Sequence, residues 1–167
     1  MTAYRYPKEF VYNQLAPLDA AYCAGLVDGE GCVTIDRITK KKPNGKGFYI
    51  TYRQNVTISS TTPCLIDFVY DRFPYGSRYV TVVKQKNCMP QDRILLTYRP
   101  AVEFARQIRE YLVLKGGQAD ILMSMPLSTN GRWGYTPEIR KEQEKCWKRC
   151  RKLNGNGKRG GRPRNKH

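Results

Sequence analysis

One stretch near the start of the chain combines glycines and acids in a pattern that few folds can use. Ala21, Gly25 and Gly29 recur every fourth residue, so they share one face of a helix. A glycine inside a helix costs roughly 1 kcal/mol relative to alanine, which indicates that another backbone approaches this face. Asp28 and Glu30 lie where the helix ends, and the macrodipole disfavours carboxylates there. We expect a cation or a hydrogen-bonded partner for these acids; a tightly packed helix with a solvated acidic turn is the alternative.

The formal charge of +16 in 167 residues is the strongest feature of the composition. An excess of this size predicts a polyanionic partner, and a nucleic acid is the natural candidate. The length predicts one domain, which we place at residues 1–153, with its core at about 18–126 and a helical region at 136–151. Residues 154–167 are basic and glycine-rich, and this tail is predicted to be disordered when free.

Membrane and disulfide-stabilised classes are disfavoured. No apolar run approaches the roughly 20 residues of a membrane-spanning helix, and the N-terminal segment lacks the apolar stretch of a signal peptide. We expect an intracellular protein of the cytoplasm, nucleoid or an organelle, with no membrane partner and with its six cysteines as free thiols. Cys146 and Cys150 have helical spacing, but no second pair of Cys or His completes a zinc site. The only histidine is His167, which excludes His-based catalysis from the folded body.

Hydrophobic periodicity and turn residues divide the chain into helices and strands. The predicted helices cover residues 17–29, 64–70, 101–111, 119–125 and 137–151, and the predicted strands cover 32–40, 48–58, 77–86 and 92–98. This order predicts an α+β domain in which helices cover one face of a four-stranded antiparallel sheet. In the second strand Gln54 interrupts the apolar face, and the pattern offers no reason for it.

Residues 24–31, Ala-Gly-Leu-Val-Asp-Gly-Glu-Gly, resemble the signature of the LAGLIDADG homing endonucleases, as do the flanking Tyr22 and the Cys-Val-Thr-Ile that follows. The resemblance extends over about residues 22–125. It implies the saddle-like sheet of that fold, with the motif helix at a dimer interface. It also implies the activity of a site-specific double-strand DNA endonuclease, encoded within an intron or a similar mobile element.

The sequence contains the motif once, and single-motif members of the family act as homodimers on long pseudo-palindromic DNA sites. A homodimer explains the glycine stripe, because two motif helices would pack backbone to backbone across a two-fold axis. We assign Ala21, Gly25, Asp28 and Gly29 to this interface. The family's acid at the Asp28 position is more often structural than catalytic.

Hydrolysis of a phosphodiester requires a metal ion that activates water and shields developing charge. The resemblance assigns Glu30 as a ligand of Mg²⁺ and the carbonyl of Gly29 as an auxiliary ligand; Mn²⁺ and Ca²⁺ are alternative ions. It also assigns Lys115 to the active site, where a cation could stabilise charge or orient water. The alternative is a lysine that only neutralises a helix end. Some relatives carry Gln and Arg after the second strand, whereas residues 59–62 here have short hydroxyl side chains, which favours weaker catalysis or a different solvent network.

An antiparallel sheet can lie in the major groove, where base edges carry a unique pattern of donors and acceptors. The polar rows of the first two strands are predicted to contact bases: Thr34, Asp36, Tyr49, Thr51, Arg53 and Asn55. Arg53 suits guanine and Asn55 suits adenine. The lysines of the connecting turn are predicted to hold phosphates: Lys40, Lys42 and Lys46. Four more candidates have no settled face: Lys84, Lys86, Asp92 and Arg93. A plain solvated sheet face is the alternative.

Two other functions stay open at this stage. A non-catalytic binder of the same fold, either an RNA maturase acting on intron RNA or a DNA-binding regulator, explains the charge and the short side chains at 59–62. A basic structural protein of the ribosomal type explains the charge but not the motif. In the tail, residues 159–164 resemble an AT-hook with one glycine too many, and a generic electrostatic arm is the simpler interpretation.

Overall fold

The computed structural model describes residues 11–42, 45–82, 89–126 and 136–155. In chain order the elements are α1 (Pro17–Glu30), β1 (Gly31–Lys41), β2 (Phe48–Ser60), α2 (Pro63–Arg72), β3 (Ser77–Thr81), β4 (Gln91–Thr97), α3 (Arg99–Ile108), α4 (Gly116–Ser124) and α5 (Pro137–Leu153). A short 3₁₀ turn, Arg109–Tyr111, follows α3. The predicted α+β class is confirmed. Residues 156–167 of the predicted tail, as well as Lys84 and Lys86, lie outside the described residues.

The four described strands form one open antiparallel sheet in the order β1-β2-β4-β3. One face carries the buried rows Val33 and Ile35, Val56 and Ile58, and Ile94 and Leu96. The five described α-helices pack on this face, as the sequence predicted. The other face carries the polar rows and has no helix among the described elements.

Helix α1 buries one apolar face in the core of the fold. Ala20, Cys23, Ala24 and Val27 are buried against the sheet and α3, with the three- and four-residue spacing of one helix face. At the helix end, a Cβ on Gly31 would lie 2.7 Å from the Cα and the carbonyl oxygen of Val27. Glycine at this position therefore lets the chain pass directly from α1 into β1.

Helix α5 covers the free edge of β1, which protects an otherwise exposed edge strand. The carbonyl of Val33 accepts hydrogen bonds from Asn154 Nδ2 at 3.0 Å and from the Cys150 thiol at 3.8 Å. Thr136 caps the start of α5 by accepting the N–H of Ile139. Two of the predicted free thiols, those of Cys146 and Cys150, pack in a second apolar cluster beneath this helix, and all five described cysteines are unpaired.

Gln54 is fully buried in the helix-covered face of β2. Its side-chain Nε2 donates to the carbonyl of Met125 at 3.5 Å, and its backbone carbonyl accepts the backbone N–H of Tyr98 at 3.0 Å. The polar side chain that the sequence pattern left unexplained therefore connects β2 to the end of α4.

Candidate active centre and DNA-facing sheet

Glu30 ends α1 at the junction with β1, and its side chain is exposed. Within the described ranges its carboxylate has no hydrogen-bond or ion-pair partner. The same ranges contain no group of three or more His, Cys, Asp or Glu side chains that could hold a metal ion. A single exposed carboxylate suits Mg²⁺, which usually takes one or two protein carboxylates and fills its shell with water and phosphate oxygens.

Asp28 has the opposite environment, although it lies two residues away. Its carboxylate accepts the backbone N–H groups of Val113, Leu114 and Lys115 at 2.7, 3.0 and 2.9 Å. Burial on its own raises the pKa of Asp28, but these three hydrogen bonds and the charge of Lys115 together lower it below its ordinary value. Asp28, which we had assigned to a subunit interface, is thus bonded to its own chain.

Lys115, in turn, binds the end of α1 from the loop before α4. Its Nζ donates to the carbonyl of Val27 at 2.8 Å and also to the carbonyl of Asp28. A cation on the last carbonyls of a helix is favourable with the macrodipole. These hydrogen bonds therefore hold the loop before α4 against the end of α1. They place Lys115 at the same helix end as Glu30.

The small-residue stripe of α1 faces away from the described fold. A Cβ on Gly25 or on Gly29 would meet nothing within 4 Å, so no contact inside the described part of the chain requires these glycines. Apolar side chains flank the stripe: Leu18 is 85 % exposed and Tyr22 is 46 % exposed. Tyr22 packs edge-on against Phe68 of α2, whereas the glycine stripe itself has the composition of a helix interface and meets nothing in the described chain.

The β1–β2 register places the predicted base-contacting residues of both strands on the open face. Opposite pairs are Thr34 with Asn55, Asp36 with Arg53, Ile38 with Thr51, and Lys40 with Tyr49. Ile38 is an apolar member of this face that the sequence analysis missed. Strict alternation from Thr34 along β1 would have identified it, because its side chain must follow those of Thr34 and Asp36.

The same rule settles β4. Arg93 lies opposite Ser59 and Tyr79 on the open face, and its contact with DNA stays a prediction. Asp92 points to the covered face, where its carboxylate binds Arg78 at 2.5 Å. That hydrogen bond is the main reason why the pKa of Asp92 is lowered. The suggestion that Asp92 contacts DNA was therefore wrong.

Two of the predicted base contacts are less accessible than their alternation suggested. Thr51 is 8 % exposed and Asn55 is 9 % exposed. The Asn55 amide nitrogen donates to Asp36 Oδ2 at 3.0 Å, and Arg53 donates to the same oxygen from Nε at 3.2 Å and from Nη2 at 2.8 Å. The predicted adenine reader is therefore engaged with its neighbours, whereas Arg53 keeps a side-chain exposure of 32 %.

The three lysines in and beside the β1–β2 turn lie on different surfaces of the protein. Lys40 lies on the open face opposite Tyr49, and Lys46 is exposed in the turn. Lys42 lines a cleft of about 570 Å³ between β2 and the first turns of α5, together with Arg140 and Lys141.

No known family profile and no curated protein matches this sequence. Among solved structures, the chain is similar to the homing endonuclease I-CvuI in complex with DNA, with 17 % identity and a TM-score of 0.67 over 85 % of each chain. It is also similar to the archaeal intron-encoded homing endonuclease I-Vdi141I in complex with DNA, with 12 % identity and a TM-score of 0.52 over 82 % of this chain and 97 % of the other.

A third similar structure is the LAGLIDADG homing endonuclease I-GzeII in complex with its DNA target, with 13 % identity and a TM-score of 0.53. There the match covers 77 % of this chain but 42 % of the other. The chain therefore has the LAGLIDADG homing-endonuclease fold, as the motif implied. None of the described helices is long and apolar enough to cross a membrane.

Proposed function

We propose that this protein is a site-specific DNA endonuclease that acts as a homodimer with Mg²⁺ on a long pseudo-palindromic site and is encoded within a mobile element. The observation that carries the proposal is the position of Glu30. Its exposed carboxylate has no partner in the described chain, and it lies where the outward glycine stripe meets the open sheet face. The DNA-bound homing endonucleases of the same fold support the substrate class.

The exposed stripe of α1 supports the homodimer. Gly25 and Gly29 leave room for a second backbone, and an apolar helix face is expected to be covered. The match over 42 % of I-GzeII supports a pair of such units, because one copy of this fold accounts for less than half of that chain. A two-fold axis along the stripe brings one Glu30 from each subunit to the same interface.

At the joined centre, Glu30 would hold Mg²⁺ with the carbonyl of Gly29 as an auxiliary ligand. The ion, when bound, supplies an activated water and shields the charge of the phosphate. Lys115 contributes a fixed positive charge at the same helix end, where it orients water or stabilises the developing charge. Asp28 keeps Lys115 in place through the hydrogen bonds to its loop.

The open sheet face would lie in the major groove on each side of this centre. It presents Arg53 and Arg93 to base edges and Lys40 to the backbone, with Thr34 and Tyr49 between them. Phosphate contacts from lysines position the duplex, whereas contacts to base edges select the sequence.

The test is a cleavage assay on a duplex that carries the uninterrupted insertion site of the gene, with and without Mg²⁺ and with a scrambled duplex as control. We expect a double-strand break in the insertion site only, with Mg²⁺ only. Cleavage that persists in chelator, or that ignores the sequence, would contradict the proposal.

A second candidate is an RNA maturase of the same fold, and the short side chains at 59–62 favour it. Ser60 is buried and its hydroxyl accepts the N–H of Thr62, so it is engaged in local structure at the end of β2. Binding to intron RNA without cleavage of any duplex would favour this function over the nuclease.

A further inference from the structure

Three hydrogen bonds on the open sheet face converge on one oxygen atom. Asp36 Oδ2 accepts two donors from Arg53 and one from Asn55. The next residue in the row continues the chain of bonds, because the Thr57 hydroxyl donates to Asn55 Oδ1 at 2.9 Å. The order of the side chains follows the β1–β2 register, in which Asp36 lies opposite Arg53.

This arrangement divides the guanidinium of Arg53 into two edges. The Nε and Nη2 edge is bound to Asp36, and Arg has five N–H donors in a rigid fork. The other edge, formed by Nη1 and the second hydrogen of Nη2, has the parallel geometry that matches O6 and N7 of guanine. Asp36 therefore restricts a flexible side chain to the rotamers in which this second edge points away from β1.

Asn55 has a different position in the same network. It is 9 % exposed, its amide nitrogen faces Asp36, and its amide oxygen faces Thr57. These bonds fix the orientation of Asn55 beside Asp36, where it supports the carboxylate instead of reaching into a groove.

Asp36 is also an acid on a face that is proposed to bind a polyanion. A carboxylate at 29 % side-chain exposure on such a face weakens binding to any duplex, whatever its sequence.

We propose that Asp36 is a positioning residue for sequence selection: supported by Asn55, it holds Arg53 so that its outer edge reads a guanine in the major groove. This inference rests on the proposed function, because it requires duplex DNA on the open face. It assigns the guanine contact to Arg53 and removes Asn55 from the residues that contact bases.

The experiment selects duplexes from a randomised library with the purified protein, with divalent metals chelated so that no DNA is cut. Affinities of Asp36→Ala, Asp36→Asn, Arg53→Ala and the double variant are then measured on selected duplexes with G·C or A·T at the Arg53-dependent position. Asp120→Ala is the matched control, because Asp120 binds Arg109 at 2.6 and 2.7 Å among the helices. Thermal unfolding identifies any variant that fails to fold.

We expect Arg53→Ala to lower the preference for guanine by about 5- to 150-fold. Asp36→Ala should cause a similar loss, and the double variant should lose no more than Arg53→Ala alone. On a scrambled duplex, Asp36→Ala should bind more tightly than wild type, and Arg53→Ala more weakly. Asp36→Asn should retain part of the preference, and Asp120→Ala should retain all of it.

Two results would overturn the inference. If Asp36→Ala keeps the full guanine preference, the ion pair has no part in selection. If it changes the preference at a position that Arg53→Ala leaves intact, Asp36 reads a base itself. If wild-type protein enriches no duplex from the library, the proposed function itself fails, and this outcome is distinct from the two that overturn only the role of Asp36.

Discussion

Asp28 and Glu30 are separated by one glycine, yet the fold treats them in opposite ways. Asp28 is bound by three backbone N–H groups of the loop before α4. Glu30 is exposed and has no side-chain partner in the described chain. The charge of the first acid is therefore compensated from within the fold, and the charge of the second is left to be compensated by a ligand from outside.

The difference shows that the acids of the motif cannot be assigned by residue type alone. The side chain directed toward the neighbouring loop acquires partners and a lowered pKa. The other side chain, that of Glu30, is exposed at the junction of the glycine-bearing helix α1 and strand β1. Each prediction below changes one side of this comparison.

The largest loss of cleavage is expected from Gly25→Leu, which places a bulky side chain on the exposed glycine stripe of α1. A side chain at this position has space within the chain, and a leucine favours a helix over a glycine, so the subunit should still fold. The bulkier face should prevent close packing of two helices and reduce cleavage to background. Analytical ultracentrifugation should show a monomer where the wild type is a dimer; a dimeric, active Gly25→Leu protein would refute the assigned interface.

Replacement of Lys115 by Met should lower the single-turnover cleavage rate by about 10²- to 10³-fold at saturating protein. The variant removes the ammonium that binds the carbonyls of Val27 and Asp28. Lys115→Arg keeps the charge and should recover part of the rate. If both variants cut normally and only unfold at a lower temperature, Lys115 acts solely at the helix end.

Asp28→Ala should lower the free energy of unfolding by about 1–3 kcal/mol, because it removes three hydrogen bonds to a charged acceptor. Glu30→Gln should change it by less than about 0.5 kcal/mol, since an exposed side chain without partners contributes little. Urea denaturation of the two variants measures this contrast. Equal losses in both would remove the basis of the comparison between the two acids.

The smallest effect concerns acid pH. The pKa of Asp28 is lowered in the fold, so its contribution to stability is present above the unfolded value of about 3.9. It is lost as the pH falls through the folded value. Unfolding free energies measured between pH 6 and about pH 3 should therefore decline less steeply for Asp28→Asn than for wild type. Part of the slope should remain, because Asp92 and Asp120 also have a lowered pKa.

The elements of the fold were accessible from local sequence patterns. The predicted start of α1 at Pro17 and the start of β2 at Phe48 agree with the structure, because proline and the two-residue alternation act over short distances. The assignment of Arg93 and Asp92 to opposite faces required the β2–β4 register, which pairs strands that are more than 30 residues apart in sequence.

The partners of the polar residues were not accessible in that way. Asp28 binds N–H groups 85 to 87 residues further along the chain, and no local pattern marks them. Gln54 interrupted the apolar face and Asn55 belonged to the polar row, yet neither position revealed its partner: Gln54 connects to the end of α4 and Asn55 to Asp36. Such bonds depend on tertiary packing. Sequence periodicity therefore predicts which face of a strand or helix carries a residue, but not which partner its side chain binds.

The most direct test of the account is the single-turnover cleavage of insertion-site DNA by Glu30→Gln, at protein concentrations that saturate the duplex, with Mg²⁺. Glu142→Gln is the control, because Glu142 is an exposed acid on α5 that pairs with Lys145. The account predicts that Glu30→Gln binds the duplex like wild type and yields no product above the metal-free background, while Glu142→Gln cuts normally. Cleavage by Glu30→Gln at the wild-type rate would contradict it.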